Sequence, residues 1–148
     1  MRRKRFFRAG LVVGVLVAVA AGVALATPGS GFVGEVIARG TVNGPIKIKT
    51  DHPSDFVVQT INVAPGGFSG WHTHPGATLV TVKSGTLVLT DRHCNSTTYE
   101  AGDAFFQPAN EVHNATNPSA HDSTVLWTAY VLPVGAAIRT DAPNPGCP

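Results

Sequence analysis

The chain has 148 residues, of which 43% are hydrophobic and 14% are charged, and its formal net charge is +2. This length suits one domain with a sizeable core. Five of the eleven Lys and Arg residues lie in the first eight positions, so the rest of the chain has six basic against nine acidic residues, a net charge of −3. A basic surface for nucleic acid or for an anionic membrane is therefore not expected.

The N-terminus has the pattern of a secretory signal. The basic stretch Met1–Arg8 precedes an uncharged apolar run, Ala9–Ala26, which ends in the small-residue sequence A-L-A. These features predict cleavage after Ala26, so we interpret residues 1–26 as a signal peptide. The run is nearly long enough to span a bilayer, so an uncleaved membrane anchor is the alternative. The mature protein is expected to be secreted or extracytoplasmic, in the cell envelope.

After the leader, residues 27–34 are rich in Gly and Pro and are predicted to be a flexible lead-in. Residues 35–148 show short runs of β-branched and aromatic residues between turn residues, with no helical period over twelve residues. This pattern predicts an all-β sandwich or barrel that ends in a Pro-rich tail. The predicted strands, in chain order, are Phe32–Val42, Ile46–Thr50, Asp55–Val63, Thr78–Val82, Thr86–Thr90, Thr97–Glu100, Ala104–Gln107 and Ser123–Leu132.

Two local features add detail to these strands. Thr78–Val82 and Thr86–Thr90 flank the turn sequence K-S-G, and they are predicted to form a hairpin. The chain has two cysteines, Cys94 and Cys147. An even count in an exported protein favours a disulfide, which would tie the C-terminal tail to a loop.

A histidine pair marks the candidate functional site. His72 and His74 are one residue apart, so both imidazoles point to the same side of an extended segment. Two imidazoles on one face are a natural start for a transition-metal site, and His113 is the candidate third ligand. The other histidines lie among loop residues and are expected to be exposed. They are His52, His93 and His121.

The spacing around these histidines resembles the two sequence motifs of the cupin superfamily. The first motif is G-x5-H-x-H-x3-4-E-x6-G, and Gly66, His72, His74 and Gly85 match it. The second is G-x5-P-x-G-x2-H-x3-N, and its matching residues are Gly102, Pro108, His113 and Asn117. Eight of the ten marker positions agree, and two spaced motifs in the right order are far more specific than one H-x-H.

The resemblance implies a small jelly-roll β-barrel in which the three histidines meet inside one end. Two positions depart from the pattern. Thr78 stands where the family has a glutamate ligand, which removes the carboxylate and leaves a neutral three-histidine site. Asn110 stands where glycine is usual, and asparagine tolerates the left-handed conformation of a turn. Thr78 and Gln107 are candidates for orienting a water or a substrate near the metal. Phe106 and Trp127 are interpreted first as core residues and second as a wall of the substrate pocket.

The sequence therefore predicts an exported, single-domain cupin that binds one divalent transition metal, with Fe first and Mn, Ni, Cu or Zn as alternatives. Two functional classes remain open. One is a dioxygenase-type oxidoreductase that acts on a small organic substrate. The other is a non-catalytic module that binds a small ligand or a metal. The expected partner is a small molecule, membrane contact is expected only if the leader is retained, and a homodimer is left open.

Overall fold

The computed structural model describes residues 30–31 and 33–148, and Glu35–Pro148 form one compact unit. The predicted signal peptide, and much of the predicted lead-in, lie outside the described residues. Within the described ranges there are ten β-strands and no helix, and hence no helix that is suited to crossing a membrane. The strands are β1 Thr41–Val42, β2 Ser54–Val63, β3 His72–Thr73, β4 Ala77–Ser84, β5 Thr86–Asp91, β6 Ser96–Glu100, β7 Asp103–Gln107, β8 His113–Thr116, β9 Thr124–Pro133 and β10 Thr140–Asp141.

The strands form two five-stranded sheets, which confirms the predicted all-β, jelly-roll class. One sheet has the order β1-β7-β4-β9-β2 and the other the order β10-β3-β8-β5-β6. The short β1 runs parallel to β7, while the other strand pairs are antiparallel. The longest ladder joins β2 to β9 over all ten residues of each strand. The three longest strands, β2, β4 and β9, thus lie side by side in the first sheet, and the strands of the second sheet have two to six residues each.

The hydrophobic core lies between the two sheets. Strand β9 lies between β4 and β2 in its sheet, and its residues alternate between buried and half-buried from Thr124 to Leu132. Strand β4 alternates in the same way, which places Val80 and Val82 in the core. This period of two is what one buried face of a strand requires. The buried cluster joins both sheets and consists of Val80, Val82, Leu87, Phe105 and Leu126.

The predicted hairpin between the fourth and fifth strands is wrong. Strands β4 and β5 belong to different sheets, so the turn carries the chain from one layer to the other. Gly85 in this turn has a φ of +80°, and a Cβ atom there would lie 2.8 Å from the Thr124 hydroxyl. That hydroxyl donates a hydrogen bond to the carbonyl of Thr86. The corner is therefore specified by contact with β9 rather than by pairing between the flanking strands.

Part of the predicted N-terminal strand content is also wrong. Ile46–Thr50 alternates apolar and basic residues, yet it is irregular, and the side chains of Ile46 and Ile48 are 49% and 41% exposed. The predicted strand Phe32–Val42 is described from residue 33 onward, and in that part only Thr41–Val42 pairs within a sheet. An alternating segment becomes a strand only where a neighbouring strand is free to pair with it. In the described part of these two segments, the pairing of β1 with β7 is the one ladder that forms.

The structure joins Cys94 to Cys147, with their Cα atoms 5.4 Å apart. Cys94 lies in the loop between β5 and β6, where the Asp91 carboxylate accepts hydrogen bonds from two backbone amides of the same loop. Cys147 lies in the tail, where its backbone amide donates to the side chain of Asn144. The bridge thus fastens an irregular C-terminal tail to the second sheet.

Candidate metal centre

Three histidines converge because of strand register in the second sheet. His72 in β3 is directly opposite His113 in β8, which makes them a cross-strand pair. His74 follows His72 by two residues, and both are buried while Thr73 between them is only half-buried. A period of two puts the first and third residue of an extended segment on one face. The same-face prediction for the histidine pair therefore holds in the fold.

The three imidazoles are close enough together to bind a single metal ion. Their potential ligand atoms are all within 4.8 Å of one another. The ring centroids of His72 and His113 are 4.2 Å apart. The ring centroid of His74 lies 4.9 Å from that of His72 and 5.2 Å from that of His113. Each histidine is 4–7% exposed. The cluster is thus compact and shielded, which suits a bound ion better than three solvated side chains.

Hydrogen bonds fix the tautomer of all three rings. The Nδ1 atom of His72 lies 2.9 Å from the carbonyl oxygen of Gly70. The Nδ1 atom of His74 lies 2.7 Å from that of Ile138, and the Nδ1 atom of His113 lies 3.0 Å from that of Glu111. A carbonyl only accepts, so each Nδ1 carries the proton and donates it. In each neutral ring Nε2 therefore holds a free lone pair, which is the arrangement found in metal-ligating histidines.

Burial also keeps these rings neutral. Desolvation lowers the pKa of His72 from 6.5 to about 4, with a smaller lowering from the positive charge of Arg139. Desolvation, followed by the neighbouring His72, lowers the pKa of His113 to about 4 as well. Desolvation lowers the pKa of His74 as well. A histidine must be deprotonated at the ligating nitrogen to bind a metal, so these shifts favour binding near neutral pH.

The remaining motif residues hold the loops that carry the histidines. Asn110 has a φ of +66°, as its turn requires, and its backbone amide donates to the carbonyl of His74 at 2.7 Å. Asn117 is fully buried, and its side-chain amide donates to the carbonyls of Val63, Ala64 and Asp122. Asn117 directly follows β8, so these bonds tie the end of β2 to the segment between β8 and β9. The motif asparagine therefore serves the fold of the loops.

A cupin-domain family model matches residues 59–129, a stretch that contains all three histidines. This chain belongs to the cupin superfamily. Its fold is similar to that of a conserved protein with a double-stranded β-helix domain from Klebsiella pneumoniae, with 25% identity and a TM-score of 0.51 over 72% of this chain and 90% of that chain. A cupin-like protein from Thermotoga maritima is 22% identical, with a TM-score of 0.51 over 60% and 65% of the two chains. No curated protein sequence matches this cupin significantly.

Beside the histidines, this cupin has a cavity of about 570 Å³ between the two sheets. Its size lies within the range of small-molecule sites. The imidazoles are at its wall, and much of the remaining wall is apolar. The main apolar residues of the wall are Ile61, Val63, Val80, Leu89 and Leu126. The site therefore offers three nitrogen donors beside a space for an organic molecule.

Two of the four residues predicted near the substrate line this cavity, and two do not. Thr78 and Gln107 are buried opposite one another on β4 and β7, and both face it. Phe106 does not line it, because it points to the other face of β7 from its neighbour Gln107. Trp127 does not line it either, since it is on the outer face of β9 with the Lys83 ammonium 5.5 Å from its ring centroid. The structure therefore places both aromatic residues outside the cavity wall.

Thr78 gives the site a hydroxyl where the family pattern has a carboxylate. Its hydroxyl is buried and has no hydrogen-bond partner among the described residues. An unpaired buried hydroxyl costs free energy unless a ligand or water satisfies it. Three neutral imidazoles with open positions are the donor set of a three-histidine metal centre, so the site is compatible with a divalent metal.

Several cavity residues were not singled out from the sequence, among them Arg139, Phe68 and Gln59. Arg139 precedes β10 in the C-terminal region, which carried no site prediction, and Phe68 lies in a glycine-rich loop with its side chain 72% exposed. Gln59 accepts a hydrogen bond from the Tyr130 hydroxyl at 3.2 Å. The period of two in β2 and β9 places Gln59 with inward-facing residues, and that signal was available. Arg139 had no such signal, because its position depends on the path of the tail.

Proposed function

We propose that this cupin is exported, holds one divalent transition metal through the Nε2 atoms of His72, His74 and His113, and oxidises a small organic substrate with dioxygen. The observation that carries the proposal is the common tautomer of the three rings. Each Nδ1 donates to a backbone carbonyl, so three Nε2 lone pairs remain for one ion. Fe(II) is the first candidate for this chemistry, with Mn, Ni and Cu as alternatives, whereas Zn would occupy the same site without supporting an oxidation.

A redox-active divalent ion, when bound, supplies open coordination positions for substrate and dioxygen. The chain's own residues supply the geometry. The three imidazoles are held by carbonyls of fixed backbone, so their orientation is set before any ligand arrives. The apolar wall, which includes Val80 and Leu126, makes the space beside them suited to the hydrocarbon part of a substrate.

Acid and base groups are sparse in the cavity. Among the described residues, no Asp or Glu lines it, and Glu111 next to the second motif is exposed. Burial raises the pKa of Tyr130, so its hydroxyl stays protonated and donates to Gln59 or to a substrate oxygen. The chemistry proposed here therefore needs a substrate that binds as an anion or loses its proton readily.

Export is supported by two independent features. The leader has a basic region, an apolar run and a cleavage-type sequence. The Cys94–Cys147 bridge requires an oxidising compartment to form and persist. Both features favour a protein that works outside the cytoplasm.

A second candidate is a non-catalytic module that binds a small ligand or a metal. In the part of the chain that the structure describes, no carboxylate lines the cavity, and this favours the module because most proton-transfer chemistry needs a positioned base. In that case the same cavity and histidines bind their ligands without turnover.

Oxygen uptake separates the two candidates. The mature protein, loaded with each metal in turn, is assayed with an oxygen electrode against thiols, diketones, catechols and hydroxybenzoates. The dioxygenase proposal predicts uptake that depends on substrate, is lost in His113→Ala and is kept in His121→Ala, since His121 is exposed and outside the site. A protein that retains its metal but consumes no oxygen with any of these substrates supports the binding module instead.

A further inference from the structure

The cavity beside the histidines has one permanent charge, and it is positive. Arg139 lines the cavity, while the described lining residues include neither Lys nor a carboxylate. The other polar lining side chains are neutral amides, hydroxyls and imidazoles. A lone guanidinium beside an otherwise neutral and apolar space attracts an anion, and its planar fork matches a carboxylate in particular.

The guanidinium is held at the edge of the site by its own surroundings. The Nη1 atom of Arg139 donates to the carbonyl of Ser69 at 3.0 Å, and Nη2 donates to the Asp141 carboxylate. The preceding carbonyl, that of Ile138, accepts from the Nδ1 atom of His74, and the following strand pairs Asp141 with His72. A guanidinium has five N–H donors, so three remain after these two bonds. The side chain is oriented and still has donors for a ligand.

Asp141 is the surface partner of this guanidinium and does not line the cavity. Its side chain is 85% exposed, whereas that of Arg139 is 40% exposed. Exposed ion pairs are strongly screened by solvent, so the carboxylate is the more solvated of the two groups. The guanidinium is therefore the charged group that a molecule in the cavity meets.

The missing carboxylate at position 78 also leaves the site more positively charged when a metal is bound. Thr78 and three neutral imidazoles give a bound divalent ion no anionic protein ligand, so the ion keeps its full charge of about +2. That charge and the guanidinium both favour an anionic guest. The apolar wall, with Ile61 and Leu126, favours a guest with a hydrocarbon body.

We propose that the ligand of this cavity is a small organic carboxylate, whose anionic group binds Arg139 and whose apolar body packs against the cavity wall. This assignment rests on the proposed metal-binding function, because it names the class of molecule that the same site takes. Arg139 is then the residue that selects carboxylates over neutral analogues of the same shape. A purely structural role for Arg139, in which it only ties the tail to Ser69, predicts no such selection.

The test measures binding rather than turnover. Isothermal titration calorimetry is performed on Zn(II)-loaded protein with benzoate and hexanoate, and with benzamide and hexanamide as neutral analogues of the same shape. The proposal predicts that at least one carboxylate binds 10-fold or more tightly than its amide. Arg139→Gln should weaken carboxylate binding by about 10- to 100-fold and leave amide binding unchanged, since charge-assisted hydrogen bonds are the strong ones. Arg139→Lys, which keeps the charge and loses the fork, should lie between the two.

Arg92→Gln is the matched control, because Arg92 is exposed in the turn after β5 and does not line the cavity. It should bind both carboxylates as the unaltered protein does. Equal affinity for acids and amides, unchanged carboxylate affinity in Arg139→Gln, or no binding of either carboxylate overturns the assignment. Zinc content is measured on every variant. An unaltered protein without zinc contradicts the metal site, whereas zinc-loaded protein without acid selection contradicts only the role of Arg139.

Discussion

Acidification of the metal-free protein tests the electrostatics of the histidine cluster. The pKa of His72 and of His113 is about 4 in the folded state, mainly because burial disfavours the charged ring. In the unfolded chain both return to about 6.5. Between these values the unfolded state takes up protons that the folded state does not. The free energy of unfolding therefore falls as the pH falls from about 6.5, and this contribution levels off below about 4.

The two pKa values set the size of the effect. For one imidazole, the loss of stability between about pH 7.5 and pH 5 is about 2 kcal/mol, and the full shift is worth about 3 kcal/mol. The two contributions do not simply add, because the charge on His72 is itself a cause of the lowered pKa of His113. A loss of about 2 kcal/mol in a domain of this size lowers the melting temperature by about 8 °C.

Urea denaturation in the presence of a chelator, without reductant, measures this loss. In His113→Asn, the amide nitrogen replaces Nδ1 as donor to the carbonyl of Glu111, yet it does not titrate in this range. Its stability should depend on pH less steeply than that of the unaltered protein, because one of the three buried imidazoles no longer titrates. His121→Asn, at an exposed position, should keep the original slope. Equal stability at both pH values, or an unaltered slope in His113→Asn, would refute the reasoning.

Three further perturbations have defined outcomes. Asn117→Ala removes the buried donor of three backbone carbonyls and should cost about 3 kcal/mol in urea denaturation; a loss below about 1 kcal/mol would contradict the role given to this side chain. Replacing Cys94 and Cys147 with Ser together should cost about 4 kcal/mol in the chain-entropy model for a separation of 53 residues, and an unchanged denaturation midpoint would argue against it. Thr78→Glu adds an anionic donor facing the histidines and should tighten zinc binding in a chelator competition, whereas weaker binding would mean that the carboxylate does not reach the ion.

Much of the fold was accessible from sequence because its long strands obey a period of two. Strands β2 and β9 each have a run of alternating or β-branched residues that ends at turn residues, and their predicted limits differ from the observed ones by one residue. Pairing was less accessible. The turn at Gly85 has the composition of a hairpin, and only its contact with Thr124 makes it a corner between sheets.

The site was partly accessible for the same reason. Motif spacing and strand parity bring three histidines together, although β3 and β8 are too short to predict as strands. Parity failed at Phe106, because Phe105 and Phe106 are adjacent and equally apolar, so the sequence does not tell which one faces inward. Arg139 was missed because its place depends on the tail, which the pairing of Asp141 with His72 brings back to the site.

Metal content is the most direct test of the three-histidine site. Metal is removed from the mature protein with a chelator, and the protein is incubated with Fe, Mn, Ni, Cu and Zn in turn. After unbound metal is removed, the metal content is measured by elemental mass spectrometry. We expect one ion per chain in the unaltered protein and in His121→Ala, and almost none in His72→Ala, His74→Ala or His113→Ala, since two imidazoles make a weak site. A metal-free unaltered protein under all five conditions, or full occupancy in His113→Ala, would contradict the account.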